Sequence, residues 1–139
     1  MRFIRTMLVF ASAMLLAACN TAPTPAPDAP AAQSQNLPAD VDAATAASLR
    51  GRDDVVMLDV RTPEEYAQGH IPGVKLIPLA ELPNRLAEVP RDKTLVVTCR
   101  SGNRSAQAAQ LLRQAGYGNV HNMLGGIGAW QQAGLPVEK

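Results

Sequence analysis

The sequence has few of the side chains that bind metals or form redox pairs. Its 139 residues include two cysteines (Cys19 and Cys99) and two histidines (His70 and His121). None of them lies at the spacing of a metal-ligand cluster, so no metal site is predicted. Disulfide oxidoreductases generally use a Cys-x-x-Cys pair, and the sequence contains none. The composition therefore argues against a metalloenzyme and a dithiol redox enzyme, and no cofactor is expected.

The chain also lacks a marked excess of charge of either sign. It has 13 Lys and Arg residues and 12 Asp and Glu residues. Two of the basic residues, Arg2 and Arg5, belong to an N-terminal leader, and without them 11 basic residues remain against 12 acidic ones. A nucleic-acid-binding domain usually carries a basic stripe. No nucleic-acid partner is therefore predicted.

Residues 1–18 have the organisation of a secretory signal peptide. Arg2 and Arg5 precede an apolar run over residues 7–18, which is too short to span a bilayer, since a spanning helix needs about 20 residues. The run ends in Leu-Ala-Ala-Cys19, which resembles the lipobox of bacterial lipoproteins. The resemblance implies that the Cys19 thiol receives a diacylglyceryl group and becomes the mature amino terminus. The alternative is an ordinary signal peptide with an incidental cysteine.

The residues around and after Cys19 predict where the protein is held. Asn20, not Asp, follows the cysteine, and by resemblance to the enterobacterial sorting rule this favours the periplasmic face of the outer membrane over the inner membrane. Residues 19–36 are rich in Pro and Ala and cannot form a core. They predict an extended tether of at most about 50 Å. The expected protein is thus lipid-anchored in a bacterial cell envelope and folded over residues 37–139.

In the remainder of the chain, strand patterns alternate with helix patterns. Nearly continuous apolar runs, typical of strands buried on both faces, occur at residues 55–60 and 95–98, and further strands are predicted at residues 74–77 and 120–123. Helical patterns occur at residues 42–50, 63–69, 83–89 and 103–115, and a short helix around Trp130 is expected to pack onto the sheet. The predicted fold class is α/β, a mostly parallel sheet with helices on both faces.

One loop combines a cysteine with groups that attract anions. The segment Cys99-Arg100-Ser101-Gly102-Asn103-Arg104 joins a buried strand to the start of a helix. Such a loop can point its amides inward as an anion-binding nest, and the helix adds the positive end of its dipole. These groups favour a thiolate. Cys99 is therefore the predicted nucleophile and the five residues after it the predicted substrate-binding loop; the alternative is an inert, buried cysteine.

A series of motifs resembles the rhodanese homology domain and covers essentially residues 37–139. In order, the motifs are Asp59-Val60-Arg61, Glu65-Tyr66, Gly69-His70-Ile71-Pro72-Gly73, Cys99-Arg100-Ser101-Gly102-Asn103-Arg104-Ser105, Gly125-Gly126-Ile127 and Ala129-Trp130. The resemblance implies a rhodanese-like fold with the active-site loop at the carboxyl end of a central strand. It also implies a sulfurtransferase in which Cys99 becomes a persulfide and passes its sulfur to cyanide or a thiol.

The resemblance also bears on the substrate and on supporting residues. Members that use thiosulfate carry basic residues after the cysteine and at the end of the loop, so Arg100 and Arg104 favour thiosulfate or another anionic sulfane donor over 3-mercaptopyruvate. Asp59 and Arg61 are expected to form an ion pair that supports the loop, with donor binding as the alternative. His70 is expected to be structural rather than a catalytic base, and His121 receives no role.

Two functions from other classes remain as alternatives. Phosphatases of this fold have five residues between the cysteine and an arginine, whereas four residues separate Cys99 from Arg104, and Ser105 occupies the position of that arginine. A non-catalytic sulfur-binding or interaction module is the second alternative. Family members with that role usually lose the cysteine, which this chain retains.

Overall fold

The computed structural model describes residues 37–139, and the predicted signal peptide, Cys19 and the tether lie outside the described residues. The elements are, in order, β1 (Asp40–Val41), α1 (Ala43–Leu49), β2 (Val55–Asp59), α2 (Pro63–Gln68), β3 (Lys75–Leu76), β4 (Thr94–Thr98), α3 (Asn103–Gln114), β5 (Val120–Met123) and α4 (Gly126–Gln132). Two 3₁₀ turns, Leu82–Asn84 and Leu86–Glu88, lie between β3 and β4. Over residues 37–139 the chain contains no helix with the length and apolar character that a membrane crossing requires.

The five strands form one sheet in the order β1-β5-β4-β2-β3, and every pair is parallel. The predicted α/β fold class is confirmed. Because parallel strands end at the same edge of a sheet, loops that follow their carboxyl ends meet there. The strand β4 is central, and Cys99 follows it directly at this edge.

Both faces of the sheet are covered, which explains the nearly continuous apolar runs of β2 and β4. Leu58 and Val97 belong to the buried cluster that contains the apolar face of α3. Met57 and Val96, their neighbours in sequence, belong to the opposite cluster, with α1 and Trp130 of α4. Trp130 is 0% exposed and its Nε1 donates to the Pro136 carbonyl at 2.9 Å. The expected packing of the last helix on the sheet is confirmed.

The predicted helix over residues 83–89 is wrong, and the prediction omitted β1. Arg85 leaves the helical conformation (φ −119°, ψ 18°) between the two 3₁₀ turns. The Tyr117 hydroxyl donates to the Leu86 carbonyl at 2.6 Å and holds the second turn against the core. Leu82 and Val89 are buried as their spacing indicated, since i→i+3 turns also repeat side chains on one face. Strand β1 has two residues, too few for a periodic pattern.

Candidate active site

Cys99 lies at the carboxyl end of β4, enclosed by the loop that it begins. Cys99 is 1% exposed. The Gly102 amide donates to Cys99 Sγ at 3.1 Å, and Ser105 Oγ lies 3.4 Å from the same sulfur. The Cys99 carbonyl accepts from the Ile127 amide at 2.8 Å, and the Arg100 carbonyl accepts from the Gly128 amide at 3.1 Å. These two hydrogen bonds from the first turn of α4 therefore hold the backbone of the loop in place.

The surroundings of the sulfur stabilise its ionised form. Burial raises the pKa of the Cys99 thiol, but hydrogen bonds from the Ser105 hydroxyl and from the amides of Ser105, Ser101 and Gly102 lower it by more. The pKa consequently lies below the ordinary value for cysteine. The sulfur also lies at the N-terminus of the 12-residue helix α3, whose dipole favours negative charge. These contacts favour the ionised form of the thiol, which is the form that reacts as a nucleophile.

Two glycines allow the loop and the start of α4 to pack against each other. Gly102 has φ +99°, and a Cβ there would lie 3.1 Å from the Gly125 amide nitrogen. Gly126 has φ +56°, and a Cβ there would collide with the backbone of Cys99 and Arg100. Any other residue at either position would be strained by its backbone conformation and by these contacts. Gly102 and Gly126 therefore allow the cysteine loop to lie against the start of α4.

Arg104, a predicted substrate-binding residue, forms a two-pronged ion pair with Glu65 of α2. Its Nη1 and Nη2 lie 2.6 Å from Glu65 Oε2 and 2.7 Å from Glu65 Oε1. Hydrogen bonding to Arg104 is the main reason why the pKa of Glu65 falls to about 2. Glu65 also accepts from the Thr62 amide in the capping box that begins α2. Much of the positive charge of Arg104 is therefore balanced by a carboxylate of the protein.

Arg100 differs from Arg104 because no carboxylate among the described residues balances its charge. Its side chain is exposed, and within residues 37–139 it forms no ion pair. Ser101 and Asn103 are also exposed, and the Ser101 amide is one of the donors to Cys99. The side chain of Asn103, at the start of α3, has no hydrogen bond within the described part of the chain. Its role in substrate binding stays a prediction.

Asp59 and Arg61 form the expected ion pair at the end of β2. The pair is buried, and Arg61 Nη2 lies 2.6 Å from Asp59 Oδ2. The guanidinium also donates to the Glu65 carbonyl at 3.1 Å and to the Gly69 carbonyl at 2.9 Å. Arg61 therefore connects the sheet to α2, whose Glu65 reaches the cysteine loop through Arg104. The geometry gives the pair a supporting position.

A cavity of about 480 Å³ opens beside the loop, between α2 and α4. Polar and charged side chains provide much of its wall, and the lining residues are Arg61, Glu65, Gln68, Gly69, Arg100, Ile127, Gly128 and Gln131. Ile127 and Gly128 are the residues whose amides hold the carbonyls of the cysteine loop. The cavity therefore borders the backbone that carries Cys99, and it is large enough for a small anionic ligand.

The two histidines make other contacts. His70 stacks on Tyr66, with ring centroids 3.7 Å apart, and its backbone pairs with that of Glu138. His121 is 5% exposed, and its Nδ1 lies 2.6 Å from the Pro38 carbonyl. Within residues 37–139, no group of three or more His, Cys, Asp or Glu residues could hold a metal ion.

Three residues that shape the site have no role predicted from the sequence. Glu65 and Ser105 lie inside the motifs of the family resemblance, but the pairing of Glu65 with Arg104 depends on how α2 packs. Asn122 of β5 accepts from Ser105 Oγ at 2.6 Å. No local pattern marked Asn122, because it contacts the loop only through the strand order of the sheet.

Comparison with known proteins agrees with this architecture. Residues 42–133 match the family model described as the rhodanese-like domain. A sulfurtransferase of Allochromatium vinosum is 48% identical over 89 residues, which cover 64% of this chain and 83% of that protein. The thiosulfate sulfurtransferase GlpE of Pseudoalteromonas translucida is 35% identical over 85 residues, 61% of this chain and 81% of that protein. Other curated relatives are matched over 53% and 45% of their own length.

The fold has a counterpart among solved structures. The crystal structure of a rhodanese-related protein from Thermoplasma volcanium aligns with a TM-score of 0.66 and 36% sequence identity, over 71% of this chain and 96% of that chain. The family model covers the chain from the start of α1 to the end of α4, including four of the five strands and the cysteine loop. On the sequence, the topology and the loop together, this chain belongs to the rhodanese-like domain family.

Proposed function

We propose that the protein is a sulfurtransferase that carries sulfane sulfur as a persulfide on Cys99. The donor is an anionic sulfane compound such as thiosulfate, and the acceptor is cyanide or a thiol. The observation that carries the proposal is the position of the Cys99 sulfur, which is buried at the N-terminus of α3 among hydrogen-bond donors that lower its pKa. The sulfurtransferase names of two relatives support the same reaction class.

The reaction consists of two displacements at sulfur. The Cys99 thiolate attacks the outer sulfur of thiosulfate, a new S–S bond forms, and the old S–S bond breaks so that sulfite leaves with the bonding electron pair. An acceptor such as cyanide then attacks the outer sulfur of the persulfide. Thiocyanate forms, and the Cys99 sulfur leaves as the thiolate with which the cycle began. Neither step needs an oxidant or reductant, since the sulfur atom is transferred together with its oxidation state.

The loop supplies what both displacements require. Amides that stabilise the Cys99 thiolate also stabilise it as the leaving group of the second step. Arg100 is the cation available to a dianionic donor, because Arg104 is already paired with Glu65. A single unpaired guanidinium still attracts a dianion in the partly enclosed cavity. Donor binding in this proposal therefore depends on Arg100 more than the sequence indicated.

A turnover assay separates the proposal from its alternatives. The purified protein is expected to form thiocyanate from thiosulfate and cyanide, and a Cys99→Ser variant is expected to form none. A folded protein that turns over neither thiosulfate, polysulfide nor mercaptopyruvate would favour the non-catalytic binding module instead. Hydrolysis of an aryl phosphate that depends on Cys99 would favour the phosphatase.

We also propose that the domain is anchored in the bacterial cell envelope through a lipid on Cys19. The lipobox-like sequence, the Asn at position 20 and the Pro- and Ala-rich residues 19–36 support this location. A tether of at most about 50 Å would hold the sulfurtransferase near the membrane surface. Its substrates would then be those of the compartment outside the inner membrane.

A further inference from the structure

A row of hydrogen bonds leads from the Cys99 sulfur to the edge of the sheet. Ser105 Oγ lies 3.4 Å from Cys99 Sγ and 2.6 Å from Asn122 Oδ1. The side-chain nitrogen of Asn122, Nδ2, donates in turn to Asp40 Oδ1 at 2.9 Å. Ser105 is 0% and Asn122 4% exposed, whereas Asp40 is exposed on the edge strand β1, directly opposite Asn122 in the register of β1 and β5. A surface carboxylate is thus connected to the buried nucleophile.

Ser105 has a single hydroxyl proton and several acceptors for it. Besides Asn122 Oδ1 at 2.6 Å, the hydroxyl oxygen lies 3.0 Å from the Gly102 carbonyl and 3.4 Å from Cys99 Sγ. A hydroxyl group donates one hydrogen bond at a time. The shortest of the three distances leads to Asn122, so that this amide oxygen and the sulfur compete for one proton.

Asp40 decides which atom of the Asn122 amide enters this competition. A carboxylate can only accept hydrogen bonds, so the NH₂ group of Asn122 must face Asp40. The amide oxygen must then face Ser105, where it can only accept. Without Asp40, the amide is free to turn its NH₂ group toward Ser105, and the hydroxyl would lose its strongest competing acceptor.

We propose that Asp40 and Asn122 are positioning residues that draw the Ser105 proton away from the Cys99 sulfur and so limit how strongly the sulfur anion is stabilised. The competition is a property of the resting thiol, and its meaning for sulfur transfer rests on the proposed function. A thiolate that is stabilised less is a stronger nucleophile, since nucleophilicity falls as the pKa of the thiol falls. The row of hydrogen bonds therefore lowers the fraction of Cys99 that is ionised and raises the nucleophilicity of the thiolate that forms.

Opposite effects are expected when the row is cut on its two sides. Asp40→Ala leaves the sulfur to compete only with the Gly102 carbonyl for the Ser105 proton. The sulfur then receives a larger share of this hydrogen bond, so the pKa of Cys99 falls and the thiolate fraction well below that pKa rises about three- to tenfold. Ser105→Ala removes the hydroxyl donor, so the pKa rises. In the double variant, Asp40→Ala has nothing left to act through, and its profile coincides with that of Ser105→Ala. The nearby charges of Arg100 and Arg104 are the same in every variant.

The test is the rate of Cys99 alkylation by iodoacetamide between pH 5 and 10 in a Cys19→Ala background, where Cys99 is the only thiol. Asp53→Ala removes another exposed carboxylate before β2, at the opposite end of the sheet, and is expected to leave the profile unchanged. Asn122→Ala, checked for folding by circular dichroism, is expected to reproduce Asp40→Ala. An unchanged profile in Asp40→Ala, or a shift that persists when Ser105 is absent, would overturn the proposal. Alkylation needs no sulfur donor, so a failure of sulfur transfer is recognised separately.

Discussion

Replacing Glu65 with Gln tests whether the cysteine loop is held by its ion pair with α2. Gln keeps an oxygen for the Thr62 amide, so that the capping box survives, but it removes the charge that faces Arg104. A fall in the pKa of Glu65 from 4.5 to about 2 corresponds to at most ~3.4 kcal/mol. Because both side chains are a quarter to a third exposed, solvent screening reduces the expected loss of unfolding free energy to about 1 kcal/mol at pH 7.

The loss of unfolding free energy in Glu65→Gln is expected to depend on pH. The pKa of Glu65 is lower in the folded protein than in the unfolded chain, so the carboxylate contributes stability above pH 4.5. That contribution is lost as the pH falls toward 2. The difference in unfolding free energy between the wild type and Glu65→Gln should therefore shrink over this interval and vanish near pH 2.

Denaturant unfolding at several pH values measures this difference. Glu64→Gln is the matched control, because Glu64 lies in the same first turn of α2 and forms no ion pair with Arg104. It should lose less stability than Glu65→Gln. The reasoning would be refuted if both variants lost equal stability, or if the loss in Glu65→Gln were the same at pH 2 as at pH 7.

Substitutions at three further positions, Arg100, Gly126 and Cys19, test the loop and the anchor. Arg100→Gln should raise the thiosulfate concentration for half-maximal turnover about tenfold, because it removes the unpaired cation, whereas Arg100→Lys should retain most of the affinity; steady-state kinetics at low salt measures both. Gly126→Ala should destabilise the domain by more than Gly134→Ala, for which ~1 kcal/mol is expected. Gly134 also has a positive φ, but the space around it is open. Equal losses of unfolding free energy in the two variants would contradict the packing described. Cys19→Ala should abolish the incorporation of labelled fatty acid into the protein, and unchanged incorporation would contradict the lipid anchor.

The sequence predicted the features of the fold that depend on local pattern. Continuous apolar runs marked β2 and β4, two inner strands of the sheet whose residues are mostly buried. The helices predicted from residues 63 and 103 also depend on neighbouring residues, and both occur as expected. The region around Arg85 was predicted wrongly, because apolar spacing is compatible with 3₁₀ turns as well as with an α-helix.

The contacts within the site were less accessible from the sequence. Cys99 and its loop were identifiable because the nucleophile, the glycine and the arginines lie within six residues. The pairing of Arg104 with Glu65 joins residues 39 positions apart and depends on how α2 packs against the loop. The contact of Ser105 with Asn122 requires that β5 lie beside β4, which only the sheet order reveals. Long-range packing therefore decides which of the two arginines remains available to a ligand.

The most direct test of the central claim is the intact mass of the protein before and after incubation with thiosulfate. If Cys99 carries the sulfur, the protein gains one sulfur atom (~32 Da) that is lost on addition of cyanide and is absent from Cys99→Ser, as expected for a persulfide. A folded, reduced protein whose mass does not change would contradict transfer from thiosulfate. A gain that persists in Cys99→Ser would contradict the assignment of Cys99 as the sulfur carrier.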